Sequence, residues 1–483
     1  MGKSLLDMCK ERFSMNKSIE EAIEETEEKG HKLKRSLNAL DVTVLGIGCI
    51  IGTGIFVLTG VATAKFAGPS IIFSFLISGF ACIFAALCYA ELASLIPVSG
   101  SAYTYSYISM GELVAWIIGW DLVLEYAVGA IAVAIGWSGY FNEIMSGLGI
   151  AFPGSLMGSP FEGGGGVFNV PAFLIVILIT ALLVVGTKES ATFNNIITFV
   201  LIIVLIFFVV AGAFYVDLDL FSNFFPYGFG GMMTGAALVF FAYVGFDAIS
   251  TVAEETKNPQ RNLPLGILGS LGVCMVLYIA VALVLVGLAP YDPLAVPAPL
   301  AFALSRHGLS WASVILSIGA VAAIFSTLVA LLIAQPRIFF SLSRDGLLPA
   351  VFSKVHPRFK TPYVTTIITG VTVAVLAGLL PIQTVAELSN IGTLFAFVLV
   401  CGGVIILRKT RKDLKRPFKV PLVPLFPLIG AGLCVAMMVS LPLITWFRFI
   451  GWLGIGLLIY SYYGYYHSRV GKKHSEGAPR NGK

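Results

Sequence analysis

Charge is what this chain lacks most. Of its 483 residues only 12% are Asp, Glu, Lys or Arg, while 57% are apolar or aromatic and the mean hydropathy is +0.91. A soluble domain carries about twice that share of charge, so the deficit excludes a soluble globular fold and describes a polytopic membrane protein. The formal charge of +5 lies almost entirely outside the apolar runs. It therefore carries topology, with the lipid bilayer as partner, and implies no nucleic acid. Metal chemistry is equally unsupported. All seven cysteines except Cys9 lie in or beside apolar runs, where they act as small hydrophobes, and no CxxC pair occurs. The five histidines (His31, His307, His356, His467, His474) fall in loops or at span ends without an HxxxH spacing, so neither a metal site nor a cofactor is expected. No HExxH, serine elbow or catalytic Asp pair points to an enzyme. Isolated charges, in place of a continuous polar stripe, argue against the other class, a membrane channel. Residues Met1 to Asn38 are charged and have no apolar core, so they are not a cleaved signal peptide, and the first span serves as the insertion signal.

With about 20 apolar residues per crossing, twelve spans are expected. They are Leu40 to Ala64, Ser70 to Ile96, Leu113 to Met145, Val170 to Val185, Phe193 to Val216, Met232 to Ala253, Leu265 to Ala289, Ala312 to Leu342, Val364 to Leu380, Val385 to Leu407, Val423 to Leu441 and Phe447 to Tyr466. With the N-terminus inside, the outward loops contain only Lys65, Arg306 and Arg448. The opposite orientation would expose Lys188, Lys257, Arg261, the Arg344 to Lys360 loop and the Arg408 to Lys419 cluster. Both termini are therefore expected in the cytoplasm. The glutamate-rich stretch Lys17 to Lys29 reads as a solvated cytoplasmic segment, and Gly163 to Gly166 as a flexible external connection.

Glycine interrupts the first span at Gly46-Ile47-Gly48-Cys49-Ile50-Ile51-Gly52-Thr53-Gly54. An unpaired amide in hydrocarbon costs several kcal/mol, so such a break survives only where it is buried in protein or lines a polar cavity. The sixth span is broken too, at Phe240-Phe241-Ala242-Tyr243-Val244-Gly245-Phe246-Asp247. Spans one and six hold corresponding positions in two five-helix halves. Because five is odd, the second half crosses in the opposite sense, the pattern of an inverted-repeat transporter site. Around Gly52, Thr53 and Gly54 the restarting helix offers amide N–H groups and the positive end of its dipole, which suits a carboxylate. The freed carbonyls of Ile50, Ile51, Phe241, Ala242 and Val244 suit an ammonium. An α-amino acid presents both groups, and Phe241 fits as an aromatic lid, although packing alone also explains it.

Ionisable groups at this depth are expensive and mark function. Glu91 sits near the inner end of span two and suits an interfacial structural role. Asp121 and Glu125 are four residues apart on one helix face. Glu125 and Asp247 are the candidates for a proton-sensitive or cation-facing wall, with internal hydrogen bonding as the alternative. Ser326 and Thr327 form a hydroxyl pair that could ligate sodium with span-one carbonyls, or bond back to their own helix.

At these residues the chain resembles the amino acid, polyamine and organocation transporter superfamily, and most of all its cationic amino acid transporter branch with the similar bacterial permeases. The carrying segments are GIGCIIGTG (46–54), YAELASLIPVS (89–99), GSAYTY (100–105), GWDLVLEY (119–126), FFAYVGFDAIS (240–250), EETKNPQRNLP (254–264) and RDGLLP (344–349). The resemblance implies an all-α integral membrane protein of twelve helices, with a five-plus-five inverted-repeat core of the LeuT type in which helices one and six are discontinuous. Its parts are a cytoplasmic tail (1–38), a transport core (39–408, halves 39–216 and 232–408), and two added helices with a basic tail (409–483). It implies alternating access around one amino acid, with Gly52 to Gly54 on the carboxylate, the carbonyls of Ile50, Phe241, Ala242 and Val244 on the amine, and Phe241 as the outer gate. Proton-coupled bacterial relatives place a lysine in span five. Here that stretch reads Asn194 to Ile202, and no lysine lies between Lys188 and Lys257. Leu331 and Leu332 line up near the side-chain end of the pocket, where apolar bulk favours small or neutral substrates over arginine. The expected function is secondary active or facilitative transport of an α-amino acid by a monomer without cofactor. A proton-coupled arginine or lysine symporter and an amino acid exchanger are the alternatives, and H+ precedes Na+ as the coupling ion.

Overall fold

A computed structural model describes residue 35 and residues 37–98, 101–161, 165–186, 191–359 and 361–471. The glutamate-rich stretch Lys17 to Lys29, Gly163 and Gly164 lie outside the described residues. Among the described residues the fold is helical apart from one isolated bridge between Leu37 and Thr256.

The helices are α1 (Ala39–Ile50), α2 (Thr59–Ala62), α3 (Ile71–Leu95), α4 (Ser101–Met110), α5 (Glu112–Gly147), α6 (Val170–Val185), α7 (Ala191–Ala213), α8 (Gly228–Val239), α9 (Pro259–Leu288), α10 (Pro299–Arg306), α11 (Ser310–Arg344), α12 (Tyr363–Leu379), α13 (Ile382–Thr410), α14 (Leu425–Val439), α15 (Leu443–Ile459) and α16 (Tyr465–His467). Eight helical stretches are long and apolar enough to cross a membrane, and four more are apolar but shorter: α1, α6, α12 and α14. Most expected spans coincide with these helices to within a few residues. Two short helices, α4 and α10, lie outside every expected span, because eight to ten residues of mixed polarity give no membrane-length signal.

Both expected breaks are present. The chain leaves α1 through Ile51, whose backbone is extended (φ −76, ψ 109), and regains helix through the wide turns Gly54–Leu58 and Thr63–Ala67 that flank α2. After α8 the chain tightens into Phe240–Tyr243, opens at Val244, turns left-handed at Gly245 (φ 119) and continues as the narrow helix Phe246–Glu255. The two breaks touch. A side-chain carbon on Gly54 would run into the Ala242 backbone, and one on Gly245 into the Cys49 carbonyl. Glycine is required at both positions for close approach, and at Gly245 also for its positive φ.

Helix α5 is the central strut, with 89% of its apolar window buried. It runs antiparallel to α11, since Gly119 packs on Leu342, Gly129 on Leu331 and Gly147 on Val314. It runs parallel to the first span, since Gly136 packs on Thr53 and, one turn later, the Tyr140 hydroxyl donates to the Phe56 carbonyl at 2.8 Å. The starts of α1 and α5 and the end of α11 therefore share one side of the molecule, the N-terminal face. On that face Asn38 caps α1, accepting from the amides of Leu40 and Asp41 while the Asp41 carboxylate accepts from the Asn38 amide, a reciprocal cap worth about 1 kcal/mol. Leu37 then bonds to the Glu255 carbonyl at 3.1 Å and the Lys257 amide at 2.8 Å, tying the entry of α1 to the exit of the broken sixth span.

Buried Glu91 closes the same face, at the end of α3. It accepts from Arg408 at 2.5 and 3.0 Å and from the Val420 amide at 2.7 Å, and it pairs with Arg416 at 3.2 Å. This is the structural role expected of it. Helix α15 is fastened to α5 through indoles: Trp120 donates to the Trp452 carbonyl at 2.9 Å, Trp452 returns the bond at 3.1 Å, and their rings stack at 4.5 Å.

Candidate functional site

A cavity lies where the two breaks meet α5, α11 and α13. Its volume is about 70 Å³. One water needs about 10–15 Å³, so the space admits several waters or a small metabolite. Of the residues singled out from sequence, Ile50, Gly52, Thr53, Gly54, Glu125, Phe241, Val244, Asp247, Thr327 and Leu331 line it. Ile51, Ala242 and Ser326 are not among its lining residues. The reasons are geometric. Ala242 packs its backbone against Gly54, the Ile51 carbonyl accepts from the Thr327 hydroxyl at 3.3 Å, and Ser326, adjacent to Thr327, is turned about 100° around α11. The hydroxyl pair is thus split, with only Thr327 facing the first break.

The freed carbonyls are not all idle. The buried Tyr278 hydroxyl of α9 stands 2.9 Å from the Ala242 carbonyl and 3.3 Å from that of Ile50, sharing its proton between the two breaks. Phe241 offers its carbonyl to the Val244 amide at 3.3 Å, which closes the turn. A carbonyl has two lone pairs, so each can still accept a ligand donor. Thr53 places its hydroxyl 3.5 Å from the Val133 carbonyl, fixing the restarting helix against α5.

Two carboxylates face the cavity, and both are almost fully buried: Glu125 from α5 and Asp247 from the sixth span. Tyr126 bridges their elements, its hydroxyl 3.4 Å from Asp247 Oδ2. Asp121 is one turn from Glu125 but does not line the cavity. Its carboxylate abuts Gly392 of α13, and among the described residues neither oxygen has a hydrogen-bond partner. The rest of the lining is largely apolar, with Gly129 and Val133 on the Glu125 face of α5 and Ala330, Leu331 and Ala334 on α11.

In span five the expected lysine stretch delivers Thr198, which is buried and packed so closely on Gly48 that no side chain would fit there. Sequence reasoning missed Tyr278, Tyr126, Ser389 and the small wall residues. Tyr278 carries a signal after the fact, since a hydroxyl inside the apolar run Met275 to Ile279 needs a partner.

A family model for amino acid permeases matches residues 37–466, which includes every element of this cavity. The chain belongs to the amino acid permease family. Among its relatives, the methylthioribose transporter of Bacillus subtilis (strain 168) is 49% identical over 92% of this chain and 96% of its own length. The branched-chain amino acid permease BcaP of the same organism is 48% identical over 94% and 98%. The vacuolar cationic amino acid transporter 4 of Arabidopsis thaliana is 42% identical over 79% of this chain and 65% of its own length. The permease is thus a multi-pass membrane protein, and its family extends to carriers named for quite different cargo.

Proposed function

We propose that this permease is a secondary transporter that moves a small neutral α-amino acid across the cell membrane by alternating access. The observation that carries the reading is the juxtaposition of the two breaks at one cavity. Gly52, Thr53 and Gly54 face it with a helix start suited to a carboxylate, while Ile50, Phe241 and Val244 stand beside them with carbonyls suited to an ammonium. In this reading twelve helices form a five-plus-five inverted-repeat core (39–408) with two added helices, both termini are cytoplasmic, and the N-terminal face is the cytoplasmic one. Phe241 covers the ligand from the outer side. The apolar wall around Leu331 takes the substrate side chain and favours aliphatic over long cationic ones. Glu125 and Asp247 supply the proton-sensitive wall if transport is coupled; without them as carriers, transport is uniport or exchange. Sodium through Thr327 is the weaker variant, because Ser326 does not join it.

Purified protein in liposomes, given labelled valine, leucine, arginine and methylthioribose under imposed pH and sodium gradients, tests this reading. Uptake of valine or leucine with arginine excluded is the expected result. Failure of every amino acid to enter or exchange overturns it, and entry of methylthioribose alone reassigns the cavity to a sugar-like cargo. Uptake driven by an acid exterior that vanishes in Glu125→Gln assigns coupling to that carboxylate.

A further inference from the structure

The first residue of α5, Glu112, is fully buried and lies away from the cavity, yet it gathers three hydroxyls from three segments. Tyr460, where α15 loosens into the wide turn Tyr460–Gly464, donates to Oε1 at 2.7 Å. Tyr107 of α4 donates to Oε2 at 2.9 Å, and Ser468, just past α16, donates to the same oxygen. Bonds to an ionised acceptor are about twice as strong as neutral ones, and a carboxylate in the first turn of a helix is further favoured by the dipole.

A second carboxylate repeats the arrangement. Tyr103, one turn before Tyr107 on α4, donates to Asp345 Oδ2 at 2.6 Å in the turn after α11. The C-terminal segment reaches this turn as well: the Arg469 amide donates to the Asp345 carbonyl at 3.1 Å. The His467 carbonyl packs so closely on Gly346 that no side chain would fit there. Helix α4 is thus held at two carboxylates, and the C-terminal segment is bonded to the same two residues, Ser468 to the Glu112 carboxylate and Arg469 to the Asp345 backbone carbonyl.

The other face of α4 points toward the cavity. Tyr105, two residues from each of these tyrosines and so on the opposite side of the helix, packs edge-on against Tyr89 at 6.3 Å. Tyr89 in turn packs on Phe246 and Phe397, each at 5.5 Å. Phe246 precedes Asp247 of the cavity wall, and all four rings are fully buried. Helix α4 is therefore wedged between an aromatic plug beneath the cavity and the carboxylates of Glu112 and Asp345, two residues that the C-terminal segment bonds through the Glu112 side chain and the Asp345 backbone.

We propose that Glu112 is a positioning residue and that residues 460–471 form a latch. Through Glu112 and Asp345 the latch holds α4 against the plug and thereby sets how readily the cavity opens toward the N-terminal face. The inference rests on the transporter reading for its consequence but not for its test. Hydrogen exchange of the α4 amides (101–110), followed by mass spectrometry in the full-length protein without substrate, reads the latch directly. Exchange in Ser468→Ala and in Glu112→Gln is expected to be about fivefold faster than in the parent, to return to the parent rate in Ser468→Thr, and to leave α14 unchanged. Substrate efflux from loaded liposomes should accelerate in Ser468→Ala at unaltered KM. Parent-like exchange in Ser468→Ala overturns the latch. So does equal acceleration in Ser468→Ala and Ser468→Thr, which marks a packing defect only. If Glu112→Gln does not fold, the two Ser468 variants decide alone. Failure of all substrates to move removes the transporter reading and leaves the exchange result standing.

Discussion

Buried carboxylates occur in two regions of this permease, and the contrast between them separates scaffold from site. At the helix ends, Glu91 is saturated by two arginines and a backbone amide, Glu112 by three hydroxyls, and Glu387 by Thr445 at 3.0 Å and Gln383 at 2.9 Å. At cavity depth, Glu125 and Asp247 face open space, Asp247 also accepting from the Tyr126 hydroxyl at 3.4 Å, and among the described residues Asp121 has no hydrogen-bond partner on either oxygen. Leaving a buried polar group unmade costs about 1–3 kcal/mol, and more for a charge, so a fold tolerates it only where something else uses the group. The carboxylates at the helix ends tie segments together, whereas Glu125 and Asp247 face a space that a ligand or a proton can enter.

The largest test removes a saturated member. Glu91→Ala removes the counter-charge of Arg408 and of the half-buried Arg416 and should destabilise the protein by about 3 kcal/mol. Thermal unfolding in detergent is expected to show a midpoint lower by about 5 °C or more, and a shift under about 2 °C would remove Glu91 from the scaffold group. Next in size, Gly245→Ala puts a side chain into the Cys49 carbonyl at a left-handed position and should cut uptake about 100-fold. Uptake at the parent level would show that the two breaks need not touch.

A middle-sized effect is expected from Tyr278→Phe, which deletes the one donor shared by the Ile50 and Ala242 carbonyls. A loss of about 1–3 kcal/mol is predicted, divided between unfolding midpoint and substrate affinity; a variant normal in both would make the bridge incidental. The smallest effect on stability belongs to the carboxylates at cavity depth. Glu125→Gln and Asp121→Asn should unfold within about 1 kcal/mol of the parent, with uptake falling about tenfold in Glu125→Gln. If Asp121→Asn instead unfolds as early as Glu91→Ala, unsatisfied oxygens do not mark the site, and the comparison fails.

Much of the cavity was legible because its signals are local. Glycine in a membrane-length apolar run announces a break, and a carboxylate at membrane depth announces a wall, so Gly52, Thr53, Gly54, Phe241, Glu125 and Asp247 could be named from their own segments. What was illegible depended on orientation and distance. Spacing of four put Asp121 on the face of Glu125, but the cavity ends before it and α13 begins. Ser326 and Thr327 read as a pair, yet adjacent helical residues point in different directions. Tyr278 was hidden because its acceptors lie 228 and 36 positions away. Helix α4 was hidden because it is short and neither apolar nor broken.

By itself the sequence determined that this chain lives in a membrane, where its helices run, and that two of them are interrupted. Those facts follow from the cost of carrying charge or unpaired amides into hydrocarbon, a cost each segment meets on its own. Only the tertiary structure decided which buried polar groups are satisfied, which face the cavity, and that residues near the C-terminus grip the start of α5. The Ser468 hydroxyl reaches Glu112 across 356 positions. A buried group's demand for a partner is written in its own segment, whereas the identity of that partner is fixed only when distant helices pack.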